Sequence, residues 1–252
     1  MARRRIPVLI APLSALVLLL GCTEGTETDD GSREQDGGAE QPEDNEDTEE
    51  TEGSQETPED GSAEDGSAEE SVTAPNVPDA ETARAELAEL TVAEEGSMTD
   101  YERDLFPHWT EDGECSTRET VLERDGTDVT VGSDCYPESG EWHSPYDDMV
   151  VTDPSEVDID HMVPLAEAWR SGASEWTTDE REAFANDLEY PELLAASADS
   201  NSSKGDQDPA DWQPIESFHC VYSRMWIRAK HHWELTLDED EKAALEEMLG
   251  TC

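Results

Sequence analysis

The chain has 252 residues, of which 66 are acidic and 15 basic, giving a formal net charge of −51 at pH 7. This balance excludes a protein that binds nucleic acid or an anionic membrane through a broad basic surface, because such surfaces act by neutralising phosphates. Lysine is especially scarce, with three in the whole chain. Any binding of phosphate must therefore depend on positive charge gathered at one place.

The first 22 residues have the pattern of an export signal. Three arginines (residues 3–5) precede an apolar run, residues 6–20, that is interrupted by prolines and is shorter than the roughly 18–20 residues of a spanning helix. The run ends in a lipobox-like segment, residues 19–22, in which Cys22 would receive the lipid. We expect a lipoprotein signal peptide over residues 1–21 and a lipid anchor that holds the exported protein on the outer face of the cell membrane. The alternative is an ordinary secretory signal with an incidental cysteine.

Residues 22–79 have a composition that does not support a folded core. They consist mainly of Glu, Asp, Gly, Ser, Thr and Pro. We expect a disordered acidic linker with an end-to-end distance of roughly 40 Å or more, since like charges extend it. Its expected role is a tether that lifts the folded domain, residues 80–252, off the membrane. A tail that binds cations or a partner is the alternative.

Residues 80–252 mix helix and strand patterns, which predicts an α+β domain. Helix formers and N-capping residues predict helices over 80–90, 116–123, 165–170, 177–188, 217–233 and 238–249. Alternating apolar residues and short apolar runs predict strands over 128–131, 141–144, 148–152, 156–163 and 193–197. A further short helix is expected to begin at Asn201.

Four cysteines lie in the predicted domain, and an exported protein favours disulfides between them. Three connectivities are possible. The pairing Cys115–Cys135 with Cys220–Cys252 is favoured, because each pair closes one local unit and the second fixes the chain end. A zinc site is the alternative, although no two cysteines have the CxxC spacing.

Two short segments carry side chains suited to phosphate chemistry. Asp160 and His161 are adjacent near the end of a predicted strand that stops at Pro164, and Asn201 and Lys204 lie one helical turn apart. A carboxylate and an amide carbonyl are hard oxygen ligands of the kind that Mg²⁺ accepts. A neutral histidine beside such an ion can remove a proton from water. Because side chains alternate along a strand, the adjacent pair reaches one site only where the strand twists or ends.

The ordered motifs resemble the HNH, or ββα-metal, nuclease superfamily. Within it they are most similar to a secreted bacterial group that shares a domain with the C-terminal part of GmrSD-type restriction enzymes. The resemblance covers most of residues 98–252 and nothing before them. The segments that carry it are Tyr101–Phe106 with Trp109, Cys115–Arg118, Asp125–Val129, Ser144–Asp147, Asp160–Trp169 and Asn201–Trp212.

The resemblance implies a ββα-metal core with added helices and metal-dependent hydrolysis of nucleic acid, with DNA favoured over RNA. It implies His161 as general base and Asp160 and Asn201 as ligands of a divalent metal, Mg²⁺ before Mn²⁺. Lys204 would be the family lysine that faces phosphate. The alternatives are a buried strand histidine for His161, a helix cap for Asn201 and a solvated surface residue for Lys204.

Three further residues match positions of the family. Arg103 and Arg118 are candidates for phosphate binding, and for each a structural ion pair is the alternative. Asn186 is a candidate for the asparagine that braces the loop of the motif, although it falls within a predicted helix. For the whole protein, the alternative is a non-catalytic surface lipoprotein whose nuclease-like domain binds a partner or an envelope polymer.

Overall fold

The computed structural model describes residues 72–252 of the chain. The predicted signal peptide, Cys22 and the predicted linker up to residue 71 lie outside the described residues. Within residues 72–252, every helix is too short or too polar to cross a membrane.

The described residues form a mixed α+β fold. Its helices are α1 (Ala80–Glu89), α2 (Thr117–Asp125), α3 (Leu165–Arg170), α4 (Thr178–Ala185), α5 (Ala198–Lys204), α6 (His219–His232) and α7 (Glu239–Leu249). Its strands are β1 (Glu111–Asp112), β2 (Cys115–Ser116), β3 (Thr127–Val131), β4 (Pro137–Ser144), β5 (Met149–Val151), β6 (Val157–His161) and β7 (Leu193–Ser197). The predicted fold class, α+β, is therefore confirmed at this level.

The strands form three small antiparallel sheets: β1 with β2, β3–β4–β5, and β6 with β7. In the last pair Val157 lies opposite Ser197 and His161 lies opposite Leu193. The predicted bounds of β7 are confirmed, whereas β6 ends at His161, two residues before the expected end. The chain turns there before Pro164, which has no N–H to donate to a ladder.

Residues 72–79 belong to the folded part, which corrects the predicted linker boundary at residue 79. Ala74 and Pro78 are buried, and Val72 and Val77 pack against the main hydrophobic core. The Asn76 side chain also donates to the carbonyl of Glu189 at 2.7 Å. Apolar residues return to the sequence at Val72, so the loss of acidic composition, and not the first helix, marks the edge of the domain.

Local capping explains where several helices begin. Thr177 and Glu180 form a reciprocal capping box at the start of α4, and Asp238 caps α7 by accepting from the Glu241 amide at 2.8 Å. Helix α5 begins at Ala198 because Ser197 caps it by accepting from the Ser200 amide. The expectation that Asn201 begins this helix, and its alternative role as a cap, are therefore wrong.

The larger hydrophobic core surrounds α6. One face of this helix is buried, with Tyr222, Met225 and Ala229 at 0% exposure, and each large apolar side chain buried in this way contributes roughly 1.5–3 kcal/mol. A smaller cluster lies on one face of the β6–β7 pair, where Val157 and Ile159 pack against Trp142. Because side chains alternate, Asp158 and Asp160 point from the other face of β6.

A buried charge network lies within the larger core. The Lys230 ammonium, at 0% exposure, lies 2.8 Å from Glu167 and 2.7 Å from Glu241. It also donates to Ser171 Oγ and to the Thr236 carbonyl, at 3.0 and 2.9 Å. Full pairing of this kind is what allows a lysine to remain charged in the interior.

Both favoured disulfides are present. Cys115 is joined to Cys135 and Cys220 to Cys252, with Cα–Cα distances of 5.5 and 5.0 Å. The first ties β2 to the β3–β4 connection, and the second ties the start of α6 to the last residue of the chain. The zinc alternative for these four cysteines is thereby contradicted.

Candidate active site

Strand β6 and helix α5 are joined by two parallel polar contacts. Asn201 Nδ2 donates to Asp158 Oδ2 at 2.9 Å, and Lys204 Nζ lies 2.8 Å from Asp160 Oδ2. The spacing follows from the two periodicities, since residues two apart share a strand face and residues three apart share a helix face. Asp158 had no role in the predicted site. Its position two residues before Asp160 nevertheless indicated that both carboxylates lie on the same face of the strand.

A polar cavity of about 140 Å³ opens where β6 ends. Its lining includes Asp160, His161 and Asn201, together with Arg103 and Asp206. The volume is roughly ten times the ~10–15 Å³ that one water requires, so it can accept a hydrated cation. The adjacent Asp160 and His161 reach the same cavity because the strand stops between them and Pro164, as the sequence required.

His161 is almost fully buried, with 3% exposure, and its ring is held in one orientation. Nε2 donates to the Ala185 carbonyl at 2.9 Å, since a carbonyl can only accept. Nδ1 is therefore the unprotonated nitrogen of the neutral ring. Burial lowers the pKa of His161 to about 3, so at neutral pH the imidazole is neutral and Nδ1 is free to accept a proton or a hydrogen bond.

Asn186 fastens the segment that covers the His161 ring. Helix α4 ends at Ala185, so Asn186 follows it as a C-cap instead of lying within it. Its side chain donates to the Pro107 carbonyl at 2.8 Å and accepts from the Thr110 amide at 3.0 Å. These bonds hold Trp109 with its ring centroid 5.3 Å from that of His161. The contacts are those of a loop brace, the role for which Asn186 was a candidate.

Asp160 accepts contacts from two buried donors. Tyr146 donates its hydroxyl to Asp160 Oδ2 at 2.6 Å, and Lys204 approaches both carboxylate oxygens. Burial raises the pKa of Asp160, while the ammonium and the hydroxyl oppose that rise. A carboxylate has about four acceptor positions, and these contacts leave about one of them for a ligand in the cavity. Tyr146 lay within a segment that carried the resemblance, but no sequence signal paired it with Asp160.

Lys204 occupies a different position from the one expected. Its ammonium has 0% exposure, is bonded to Asp160 and to the His161 carbonyl at 2.9 Å, and does not line the cavity. A phosphate in the cavity cannot contact it in this conformation. Lys204 is neither a solvated surface residue nor a phosphate ligand here; it is the buried counter-ion of Asp160.

The two candidate arginines are separated by the structure. Arg103 is exposed, lines the cavity, and has no hydrogen bond or ion pair from its guanidinium to any residue of the described range. Arg118 instead donates to the Val157 carbonyl at 3.1 Å and lies 3.8 Å from Glu119. Arg118 therefore has the structural role that was its alternative. Within residues 72–252, Arg103 is the candidate arginine whose guanidinium stays free at the cavity.

The donors around the cavity fit a hard divalent cation. The Asn201 side chain turns Nδ2 toward Asp158, and its Oδ1 accepts no hydrogen bond from the described residues. One amide oxygen and one carboxylate suit Mg²⁺ or Mn²⁺, which keep several waters and take other ligands from phosphate. This set favours such an ion over zinc, which prefers nitrogen and sulfur ligands.

A second acidic group within residues 72–252 is a weaker candidate for a metal. Carboxylate oxygens of Glu95, Glu167 and Asp208 lie within 4.8 Å of one another. Arg170 already pairs with Glu95 at 3.0 Å and with Glu167 at 2.7 Å. Since a guanidinium compensates the charge of this group, we assign no cation to it.

Comparison with known proteins gives the family of the chain. Residues 118–248 match the family described as GmrSD restriction endonucleases, C-terminal domain. A protein of Arthroderma benhamiae, described as an uncharacterized secreted protein, is 52% identical over 175 residues, which are 69% of this chain and 86% of that protein. No solved structure matches the chain. The bacterial grouping and the HNH assignment stay predictions, but the chain belongs to the family of GmrSD restriction endonuclease C-terminal domains.

Proposed function

We propose that the protein is a metal-dependent endonuclease of the HNH type that hydrolyses phosphodiester bonds in DNA. The observation that carries the proposal is the convergence of Asp160, His161, Asn201 and the exposed Arg103 on one polar cavity. The restriction endonucleases in the family description support the same reaction class. On this proposal β6, β7 and α5 form the ββα-metal core, and the other elements are additions to it.

Each group then has a distinct role. His161 takes a proton from the attacking water through Nδ1, since Nε2 already donates to a carbonyl. Asp160 and Asn201 would hold a divalent ion, which when bound stabilises the negative charge on the phosphate and on the leaving 3′ oxygen. Arg103 binds the phosphate from the rim of the cavity. Lys204 favours the ionised form of Asp160 and fixes its position.

The acidic composition sets a condition on this proposal. With a net charge of −51, the protein repels DNA at low salt beyond the immediate site. At about 1 M salt the Debye length is about 3 Å, so the wider repulsion is screened while the contacts within the cavity persist. We therefore expect activity that survives at molar salt, as suits a saline exterior. Activity that falls steadily from low to molar salt would count against this account.

The reaction is tested with plasmid DNA and with RNA, in the presence of Mg²⁺ or of a chelator. We expect Mg²⁺-dependent nicking of DNA, and a loss of about 10²–10⁴-fold in rate for His161→Ala. The matched control is His143→Ala, which removes a half-exposed histidine of β4 that pairs with Asp148 in the turn after the strand. Wild-type cleavage rates in His161→Ala would remove the mechanism. Cation binding without cleavage of either nucleic acid would favour the non-catalytic lipoprotein instead.

We further propose that the protein is exported and held at the membrane by a lipid on Cys22. The two disulfides suit an oxidising exterior, and the Arthroderma relative is described as secreted. Mass spectrometry of the mature N-terminus should find a lipidated Cys22, and Cys22→Ser should release the protein into the medium. An unmodified cysteine in the mature chain would contradict the anchor.

A further inference from the structure

We infer that Asp158 is a positioning residue that turns the Asn201 amide so that its oxygen, and not its nitrogen, faces the cation. This inference rests on the proposed function, since it assigns Asn201 as a metal ligand. The observation behind it is the 2.9 Å hydrogen bond from Asn201 Nδ2 to Asp158 Oδ2.

An asparagine side chain presents two chemically opposite ends. Its oxygen can bind a cation, whereas its NH₂ group only donates hydrogen bonds and repels one. A carboxylate is an acceptor alone, so Asp158 selects the rotamer in which NH₂ points away from the cavity. Asn201 lines the cavity with its oxygen unpaired among the described residues, as this selection requires.

The backbone around Asn201 is already fixed, which leaves its side-chain torsions as the remaining freedom. Asp147 accepts hydrogen bonds from Ser197 and Ser200 at 2.5 Å each, at the start of α5. At the other end of the helix Lys204 is bonded to Asp160. The seven-residue helix is thus held at both ends, and Asp158 contacts the one ligand between them.

Asp158 acts through Asn201 and does not coordinate the ion itself. Asp160 and Asn201 line the cavity, while Asp158 does not. It is half-buried behind the amide, at the position of the outer partners that orient metal ligands. Loss of such partners commonly lowers metal affinity by about 10- to 100-fold.

The test compares two substitutions at Asp158 by their affinity for Mn²⁺, measured by electron paramagnetic resonance with the full mature chain. Asp158→Ala removes the acceptor and should weaken Mn²⁺ binding by about 10- to 100-fold. Asp158→Asn removes the charge but keeps an oxygen that accepts from Asn201, and should stay within about threefold of wild type. Asp199→Asn is the matched control for loss of a negative charge. Asp199 is exposed on α5, the helix that carries Asn201, and lies outside the cavity lining.

A double substitution separates positioning from a general effect. If Asp158 acts through the amide, Asp158→Ala in an Asn201→Ala background should cause no further loss of Mn²⁺ affinity. A further loss there, or an Asp158→Asn protein as weak as Asp158→Ala, would show that Asp158 acts by charge or by direct ligation and would overturn the inference. Thermal unfolding of each variant checks that the fold is kept.

The outcomes also distinguish this inference from the proposed function. Wild-type protein that binds Mn²⁺, with Asp158→Ala binding it equally well, would overturn the inference alone. Wild-type protein that binds no Mn²⁺ would overturn the proposed function and the inference with it.

Discussion

Lys204 and Lys230 are two buried lysines that differ in what surrounds them. Both have 0% exposure, and their ammonium nitrogens lie 5.8 and 5.7 Å from the centroid of the same Trp226 ring. Lys204 pairs with Asp160, which borders a cavity, whereas Lys230 pairs with Glu167 and Glu241 inside the core. The same ion-pair chemistry therefore serves a candidate site in one case and the packing of the core in the other. An accessible cavity beside the carboxylate, and not burial of the lysine, distinguishes the candidate site from the core network.

The largest expected effect comes from removing each ammonium in turn. Lys204→Met takes the ammonium from one buried carboxylate, Asp160, and Lys230→Met takes it from two, Glu167 and Glu241. We expect the free energy of unfolding to fall by about 3–5 kcal/mol in both. Only Lys204→Met should also weaken Mn²⁺ binding, because only its partner borders the cavity. Urea unfolding and Mn²⁺ titration of the two proteins measure this. Equal loss of Mn²⁺ affinity in both variants would contradict the distinction between the two lysines.

The second effect concerns protons in the Lys230 network, where two carboxylates share one ammonium. Burial raises the pKa of Glu241 to about 7 from its usual 4.5, against the opposing charge of Lys230. The folded protein thus binds more protons than the unfolded chain between pH 4.5 and 7, and stability from this group is lost as pH rises through that window. As the pH rises through this window, the unfolding free energy of the wild type should fall by up to about 3 kcal/mol relative to that of Glu241→Gln.

Urea unfolding of the two proteins at pH 5 and pH 8 measures this difference. The pKa of Glu167 is lowered, chiefly by Lys230 acting against burial, so its own loss of stability occurs below pH 4.5 and outside the window. Parallel pH profiles for wild type and Glu241→Gln would show that the proton is not held by Glu241.

A smaller effect tests the hydroxyl that contacts Asp160. Tyr146→Phe keeps the ring but removes a hydrogen bond to a charged group, so we expect a loss of about 1.5–3 kcal/mol in unfolding free energy and weaker Mn²⁺ binding. Tyr222→Phe is the matched control, because the neighbouring buried Tyr222 hydroxyl has no hydrogen-bond partner in the described structure. Calorimetry should find that control as stable as the wild type or more so. Equal losses in the two variants would contradict a specific role for Tyr146.

The smallest effect on stability is expected at the rim of the cavity. Arg103→Ala should leave the unfolding temperature unchanged, since the exposed guanidinium has no partner among residues 72–252, but should raise KM for DNA by about tenfold. Arg118→Ala should show the reverse, with KM unchanged and a loss of about 1 kcal/mol from the bond to Val157. Steady-state nicking assays and thermal unfolding give both values. A change in KM with Arg118→Ala alone would reverse the assignment of the two arginines.

The sequence predicted those parts of the fold that depend on neighbours along the chain. Local signals placed the cap at Thr177, the strand Leu193–Ser197 and the helix after Asp238, and the structure confirms each. The short helical spacing from Asn201 to Lys204 also placed both side chains on one face, toward β6.

Contacts between distant segments were beyond the same reasoning. A lysine one turn after Asn201 has the same sequence pattern whether it faces a phosphate or a buried carboxylate. The pairing of Lys204 with Asp160 was therefore not predictable. Tyr146 reaches Asp160 only because the turn between β4 and β5 is folded against β6. The apolar residues from Val72 onward were visible in the sequence, but the core surface against which residues 72–79 pack was not predictable from them.

The most direct test of the account is a crystal of the protein soaked in Mn²⁺ and measured at a wavelength where manganese scatters anomalously. We expect an anomalous peak in the cavity at the end of β6, bound by Asp160 and by Asn201 Oδ1, with His161 beside it. A peak only at the acidic group of Glu95, Glu167 and Asp208, or a cavity without manganese in a crystal that binds the ion elsewhere, would contradict it.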